Sequence, residues 1–353
     1  MLHGKFGNNH YKVKVLVTGH KGYIGTVLVP MLQKSGHEVT GLDSDLFRNC
    51  TFGQLQMDIP EIIKDVRDVT MDDVKGFNAV IHLAGLSNDP LGNLNADLTF
   101  DINHKASVKL AELAKKAGVQ RFLFSSTCSN YGAAGNDWLT ESSDFNPVTP
   151  YGVSKVRSEQ DISKLADDQF SPVFLRNATA FGVSPRLRFD LVLNNLVAWA
   201  FTTGKVLLKS DGTSWRPIVH IEDISRAFVA LLHAPKELIH NQAFNVARNE
   251  DNYQVKDIAR IVAEVVPGSE VQLSDDHFPD PRNYKVDASR ILKEIPEFKP
   301  VWSARKGAEE LYEAYKDIGL TLEEFEGIKY QRIGHIKYLI NEQIINDKLF
   351  WLN

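Results

Sequence analysis

The chain has 353 residues, of which 43% are hydrophobic and 24% charged, and its formal net charge is −5. That composition excludes a collagen, a coiled coil and a largely disordered chain. The weakly acidic balance leaves no electrostatic footprint for nucleic acid or an anionic membrane, and the length suggests two domains or one large one.

The first element is the short apolar run Val13–Val17, which ends in Thr18 and a glycine cluster. Its length and β-branching predict a buried strand. A helical pattern follows from Tyr23 to Lys34 and stops at Ser35-Gly36. His37–Asp43 and Asn78–Ala84 read as strands, and Asp97–Lys116 as a helix that ends before Gly118. Gln120–Ser126 is a further strand, a helix begins near Tyr151, and Pro172–Arg176 is strand-like again. Strand and helix alternate, so the fold class is α/β: a Rossmann-type doubly wound parallel sheet with helices on both faces.

Beyond residue 177 the alternation loosens into a smaller, mixed α/β C-terminal lobe. Asp190–Thr203 reads helical, and a strand pair or meander is expected around Val206–Leu208 and Ile218–Ile221. Helices are expected at Ile224–His233, Val255–Val265, Asp287–Glu294 and Ala304–Asp317. Prolines 267, 279, 281, 296 and 300 mark the loops between them. Ile333, Ile336, Ile340 and Ile344 then fall on one helical face, predicting a helix docked on the body or on a partner subunit. The expected division is 13–180, 181–317 and a helical extension at 318–353. Two cysteines, Cys50 and Cys128, exclude a disulfide framework. No apolar stretch reaches 18 residues, and the N-terminal MLHGKFGNNHYK lacks an apolar signal core. A cytoplasmic protein is expected, with no metal site.

Gly19, Gly22 and Gly25 stand directly after the first strand and lead into the first helix. Such a turn lets a dinucleotide's pyrophosphate approach the backbone, and the helix end supplies N–H groups and a positive dipole. Asp43, eighteen residues after Gly25, ends the second strand. A carboxylate there accepts from ribose hydroxyls and repels a 2′-phosphate, so NAD is preferred. Arg48 nearby keeps NADP open. Tyr151 and Lys155 share a helix face at i and i+4, where a cation favours phenolate.

The ordered motifs TGHKGYIG (18–25), GLD (41–43), DVRD (65–68), HLAG (82–85), DINHKAS (101–107), FSSTCSNYG (124–132), YGVSK (151–155), LRNATAFG (175–182), RPIVHIEDI (216–224) and DPRNYKVD (280–287) run through most of the chain. Together they resemble the extended short-chain dehydrogenase/reductase family, in its NAD-dependent epimerase/dehydratase branch that modifies nucleotide-sugars. The resemblance implies Thr127, Tyr151 and Lys155 as the catalytic set. It implies Tyr23, Ile24 and Ser125 beside the cofactor, Asp65 and Val66 at its adenine, and Leu83, Ala84 and Gly85 along its pyrophosphate and nicotinamide. Asn103 is implied to help hold it. Most relatives have alanine at the position of Gly85. Arg216 and Arg282 match positions that bind the substrate's phosphates, and two arginines suit a diphosphate. Asn177, Thr179 and Asn195 fall on the substrate side, with Arg186, Arg188 and Asp190 as extra charges there. A homodimer through helices around 97–116 and 151–168 is implied by analogy.

The family's 4,6-dehydratases carry Asp-Glu immediately after the catalytic threonine, whereas Cys128 and Ser129 stand here. The thiol reads either as a proton shuttle or as a small buried residue. A nucleotide-diphosphate-sugar epimerase working through a transient keto sugar is the first expectation. The alternative is an NAD(P)H-dependent reductase of a nucleotide-linked 4-keto sugar. A dehydratase and a non-catalytic NAD sensor follow.

Overall fold

Val15, Leu16 and Val17 are completely buried, and so is every residue from Ala79 to His82. Strands without an exposed face lie in a sheet covered on both sides. The computed structural model describes residues 12–87, 95–273 and 282–352. The N-terminal segment before residue 12 and the loop-marking Pro279 and Pro281 lie outside them.

The main sheet has seven parallel strands, β1 (Lys14–Thr18), β2 (Glu38–Asp43), β3 (Glu61–Ile63), β4 (Ala79–His82), β5 (Arg121–Thr127), β7 (Ser171–Asn177) and β11 (Gln242–Val246), in the order β11-β7-β5-β4-β1-β2-β3. β6 (Ala133–Leu139) lies outside that sheet and pairs with β14 (Asn283–Val286). The strand order reverses at β1, which pairs with β2 on one side and β4 on the other. The carboxyl ends of β1 and β4 therefore bound the crevice where open α/β sheets bind ligands.

Helices cover both faces. Gly25–Lys34 buries Leu28, Val29 and Leu32, and it closes at Ser35 before Gly36, whose φ is +88°. Pro150–Ser163 starts on Thr149, whose side chain accepts from Gly152 N, with proline at the first helical position. Its inward face is polar, with Ser154, Lys155, Ser158 and Glu159 all buried. The helix expected over 97–116 is interrupted. Ala96–Thr99 and Ala106–Lys116 are joined by a π-turn at Phe100–Lys105. That turn carries Asn103, and such turns widen a helix to re-aim a side chain.

The second lobe holds the helix Val192–Thr203 and β8 (Thr179–Phe181), β9 (Lys205–Leu208), β10 (Trp215–His220), β12 (Asn252–Gln254) and β13 (Glu270–Leu273). The expected meander does not form. β9 pairs in parallel with β13, and β10 lies between β8 and β12. Each finds a partner distant in sequence, so neither needs the other. The helix expected at Ile224–His233 begins at Ile221, capped by the His220 side chain. It packs on the helix Gly25–Lys34 in the core of the main sheet.

The C-terminal segment binds the two cores together. Phe325 and Tyr330 pack edge-on against Phe189 in the second lobe, at 5.0 and 5.2 Å. Ile336, Leu339, Ile345 and Leu349 are buried in the core of the main sheet instead. The helix here is Arg332–Asn341, so Ile344 lies beyond its end, although it still packs on the same core. Among the described residues, no helix is long and apolar enough to cross a membrane.

Candidate active site

One cavity of about 870 Å³ opens over the carboxyl ends of β1, β4 and β5 and extends between the lobes. The backbone at its floor is glycine by necessity. Gly19 has φ +76°, and a Cβ on it would stand 2.6 Å from the Ala84 nitrogen. A Cβ on Gly25 would overlap the Gly19 carbonyl. The turn thus lies flat against the sheet, and the helix from Gly25 points its N-terminus into the cavity. Thr26 N and Val27 N already donate to the Gly22 and Ile24 carbonyls at 3.1 Å, and the positive end of the helix dipole still favours an anion in front of this turn.

Asp43 closes this end. Its carboxylate accepts from the backbone N–H of Lys21 at 3.0 Å and of Asp45 at 2.8 Å. Desolvation pushes this carboxyl up, and those two N–H groups pull the other way. Asp45 stands beside it, paired with Lys21 and Arg186. Two carboxylates are hostile to a 2′-phosphate. Arg48, the residue that left NADP open, stacks 3.8 Å above the Trp351 ring. The Asp65 carboxylate is held by Arg67 through two 2.8 Å bonds, and Asp65 and Val66 line the cavity.

Leu83, Ala84 and Gly85 line the wall above β4. Asn103 does not line it. Its amide lies behind, accepting from Leu86 N at 2.7 Å and donating to Leu86 O at 3.0 Å. The π-turn therefore uses Asn103 to fix the loop after β4, and this residue positions the wall without forming it.

Thr127, Tyr151 and Lys155 line the same cavity beside Ser125. Lys155 is 5% exposed, and its Nζ donates to the Ser125 carbonyl at 2.8 Å. Burial pushes the ammonium down to about 8, with Glu159 acting in the opposite sense. Glu159 is itself fixed by Arg176 at 2.8 Å and by Ser126. Thr127 Oγ1 accepts from Ser129 N at 3.1 Å. Ser129 faces the cavity, but Cys128 does not. The thiol is fully buried, donates to the Arg176 carbonyl at 3.0 Å, and is pushed far up by burial. It is a core residue.

Asn177, Thr179, Asn195, Arg216 and Arg282 form the far wall. Arg216 is buried, and its Nη1 donates to the carbonyls of Trp215 and Arg282, so the two arginines lie together. Asn177 donates to Ser125 Oγ at 3.1 Å, while its Oδ1 is buried and accepts no hydrogen bond. Asn195 donates to the Phe189 carbonyl at 2.9 Å. Arg188, in ion contact with Asp190, also lines the wall, 5.9 Å above the Tyr23 ring. Gln331 and Arg332 of the C-terminal segment complete the lining, and sequence reading did not place them there. The isoleucine stripe signals docking but carries no sign of where.

A family model described as the NAD dependent epimerase/dehydratase family matches residues 15–247. A UDP-glucose 4-epimerase of Bacillus subtilis (strain 168) is 26% identical over 341 residues, covering 84% of this chain and 94% of its own. The solved structure of MoeE5 in complex with UDP-glucuronic acid and NAD is 25% identical, with a TM-score of 0.75 over 86% of this chain and 99% of that one. A NAD-dependent NDP-hexosamine 5,6-dehydratase, TunA, superposes with a TM-score of 0.77 over 87% of this chain and 98% of its own, at 24% identity. At that identity the likeness speaks for the fold alone.

Proposed function

The chain belongs to the NAD dependent epimerase/dehydratase family, and from that premise we propose that it is a nucleotide-diphosphate-sugar epimerase working through a transient keto sugar. It is a NAD-dependent enzyme, and the residues present fit that cofactor: the flat Gly19–Gly25 turn, the two carboxylates at Asp43 and Asp45, and the orphaned Asn177 Oδ1 beside Ser125. Asp43 would hold the adenosine ribose, the turn the diphosphate, and Lys155 the nicotinamide ribose.

When bound, NAD would supply a reversible hydride acceptor for the sugar carbon. Tyr151 as phenolate takes the proton of the hydroxyl on that carbon and gives it back after the keto sugar has turned. Thr127 hydrogen-bonds the same oxygen. The Lys155 ammonium stabilises the phenolate from the same helix face. Arg216 and Arg282 grip the substrate diphosphate as a charged anchor, leaving the sugar end free to present its opposite face.

The observation that carries this reading is the pairing of Thr127, Tyr151 and Lys155 in one cavity with a buried Cys128 and a neutral Ser129 after the threonine. Proton and hydride machinery is supported, whereas the Asp-Glu pair for removing water is replaced. The two lobes, 13–180 with later returns and 181–317, would close on the substrate, with 318–353 spanning them. A homodimer through the helices around 97–116 and 151–168 is the assembly we infer, and a monomer in light scattering would refute it. Both cysteines are free, in keeping with the cytoplasm.

The test is to assay the purified protein on UDP-sugars with no cofactor added, while reading nicotinamide absorbance. Epimerisation with retained NAD is expected. Tyr151→Phe is expected to lower kcat about 10²- to 10⁴-fold with NAD content unchanged. Stoichiometric consumption of NADH by a keto sugar would replace the reading with a reductase. An unchanged Tyr151→Phe would replace it with a sensor.

A further inference from the structure

Arg332, the first residue of the C-terminal helix, is 4% exposed and lines the cavity. Its guanidinium lies 3.8 Å from the centre of the Phe47 ring. Nη2 donates to the Arg186 carbonyl at 2.9 Å, whereas Nη1 is buried and makes no hydrogen bond. Two more arginines stand nearby, and each has a carboxylate. Arg186 is paired with Asp45 at 3.3 Å and Arg188 with Asp190 at 2.5 Å. Arg332 forms no ion pair among the described residues. Burial, with the charges of Arg188 and Arg186, pushes it down to about 10.

A buried guanidinium with a vacant donor is costly unless an anion meets it. Phe47 lies against the Arg332 guanidinium, and Arg186, whose carbonyl it holds, donates through Nε to the Lys21 carbonyl of the glycine turn at 3.1 Å and pairs with Asp45, the end read above as the cofactor's adenosine half. NAD has one anionic group, its diphosphate. We propose that Arg332 is a ligand of the cofactor diphosphate, and that the C-terminal segment thereby straps the adenosine half of the NAD cleft.

The rest of the segment holds that same end. Trp351 Nε1 donates to the Ser44 carbonyl at 2.6 Å, and the His335 ring nitrogen donates to the Leu46 carbonyl at 3.2 Å. Arg67, which orients Asp65, lies 3.8 Å from the centre of the Phe350 ring. The residues flanking Asp43 and Asp65 are thus pinned from outside by one continuous stretch of chain. The strap gives the excess positive charge its place and makes cofactor exchange depend on the tail.

This inference rests on the NAD reading, and the experiment separates the two. The protein is stripped of nucleotide, and ADP-ribose and UDP are titrated calorimetrically into wild type, Arg332→Met and Arg332→Lys. Arg332→Met is expected to weaken ADP-ribose by about tenfold or more, leave UDP unchanged, and unfold no earlier than wild type without ligand, because an unmatched buried charge has gone. A structural arginine would lower the ligand-free unfolding temperature instead. ADP-ribose affinity within twofold of wild type overturns the proposal, as does a loss confined to UDP. If Arg332→Met fails to fold, Arg332→Lys decides: it keeps the charge but not the fork, so a loss of about threefold or more supports the contact and no change overturns it. Wild type that binds neither ADP-ribose nor NAD would remove the underlying NAD reading.

Discussion

Lys155 Nζ donates to the Ser125 carbonyl at 2.8 Å, which anchors the ammonium of the helix Pro150–Ser163 to the end of β5. The bond fixes the cation against the sheet while Tyr151, one turn earlier, faces the cavity. Burial has already brought Lys155 to about 8, so its charge is within reach of ordinary pH. The ammonium is present below that value and lost above it. In the proposed mechanism it favours phenolate at Tyr151, so kcat/KM is expected to fall with unit slope above about pH 8. Lys155→Arg cannot titrate there. Its profile is expected to lose the alkaline limb, on a plateau lower by about tenfold or more. An unchanged limb near pH 8 in that variant would assign the ionisation to another group.

In the proposed NAD site, Asp43 and Asp45 set the cofactor choice. Asp43→Ser removes the carboxylate nearest the expected ribose 2′ position but leaves Asp45 in place. The preference for NAD over NADP is expected to shrink by about tenfold, or about 1.4 kcal/mol, without inverting. No cation is released to replace the acid, since Arg48 remains on the Trp351 ring. Fluorescence titration of stripped protein with both dinucleotides measures the ratio. A preference that survives intact would move the discrimination to another residue.

Much of this site was legible because its chemistry is local in sequence. The turn from Gly19 to Gly25, the acid at Asp43 and the Tyr151–Lys155 pair each lie within one strand-turn-helix unit. The strands of the main sheet were equally visible where burial on both faces makes a continuous apolar run, as in β1 and β4. Several of the short strands were not. β3, β8, β12 and β14 have three or four residues, and partners elsewhere in the chain hold them. Parallel pairing of β9 with β13 joins residues 205–208 to 270–273, and no local pattern records it. Asn103 was read as a cofactor residue because its motif is, and only the π-turn shows it bonded to Leu86. Arg332 was invisible for a simpler reason. A buried arginine and a solvated one look alike until the fold closes over them.

The backbone at Gly85 leaves no room for a side chain. A Cβ on Gly85 would stand 2.9 Å from Asn103 Oδ1, the atom that accepts from Leu86 N. Gly85→Ala therefore has to displace the amide that pins the loop after β4. The loss of one buried hydrogen bond is expected to cost about 1–3 kcal/mol and to weaken NAD binding along Leu83 and Ala84. Chemical denaturation and NAD titration of the same preparation check both. If Gly85→Ala were as stable as wild type, Asn103 would have a second resting place that this arrangement does not reveal.

His82 ends β4 fully buried, with one ring nitrogen 2.6 Å from Thr18 Oγ1 and the other 2.7 Å from Ser107 Oγ. Burial, with the Lys155 charge behind it, holds the imidazole down to about 3. Above about pH 6.5 the ring is neutral in both folded and unfolded chains, and it contributes nothing to the slope. Between that value and about pH 3 the unfolded chain takes up the proton and the folded one does not, so stability falls with pH. At pH 5 the loss from this one ring is about 2 kcal/mol. His82→Gln keeps an amide able to meet one of the two hydroxyls but removes the titration. The variant is expected to start about 1–2 kcal/mol lower at pH 7 and then to lose about 2 kcal/mol less than wild type on going to pH 5. Urea unfolding at the two pH values isolates that difference, because every other ionisable group is common to both proteins. Parallel losses in wild type and variant would mean that His82 accepts its proton without unfolding, and that the Thr18–His82–Ser107 bridge opens near neutral pH.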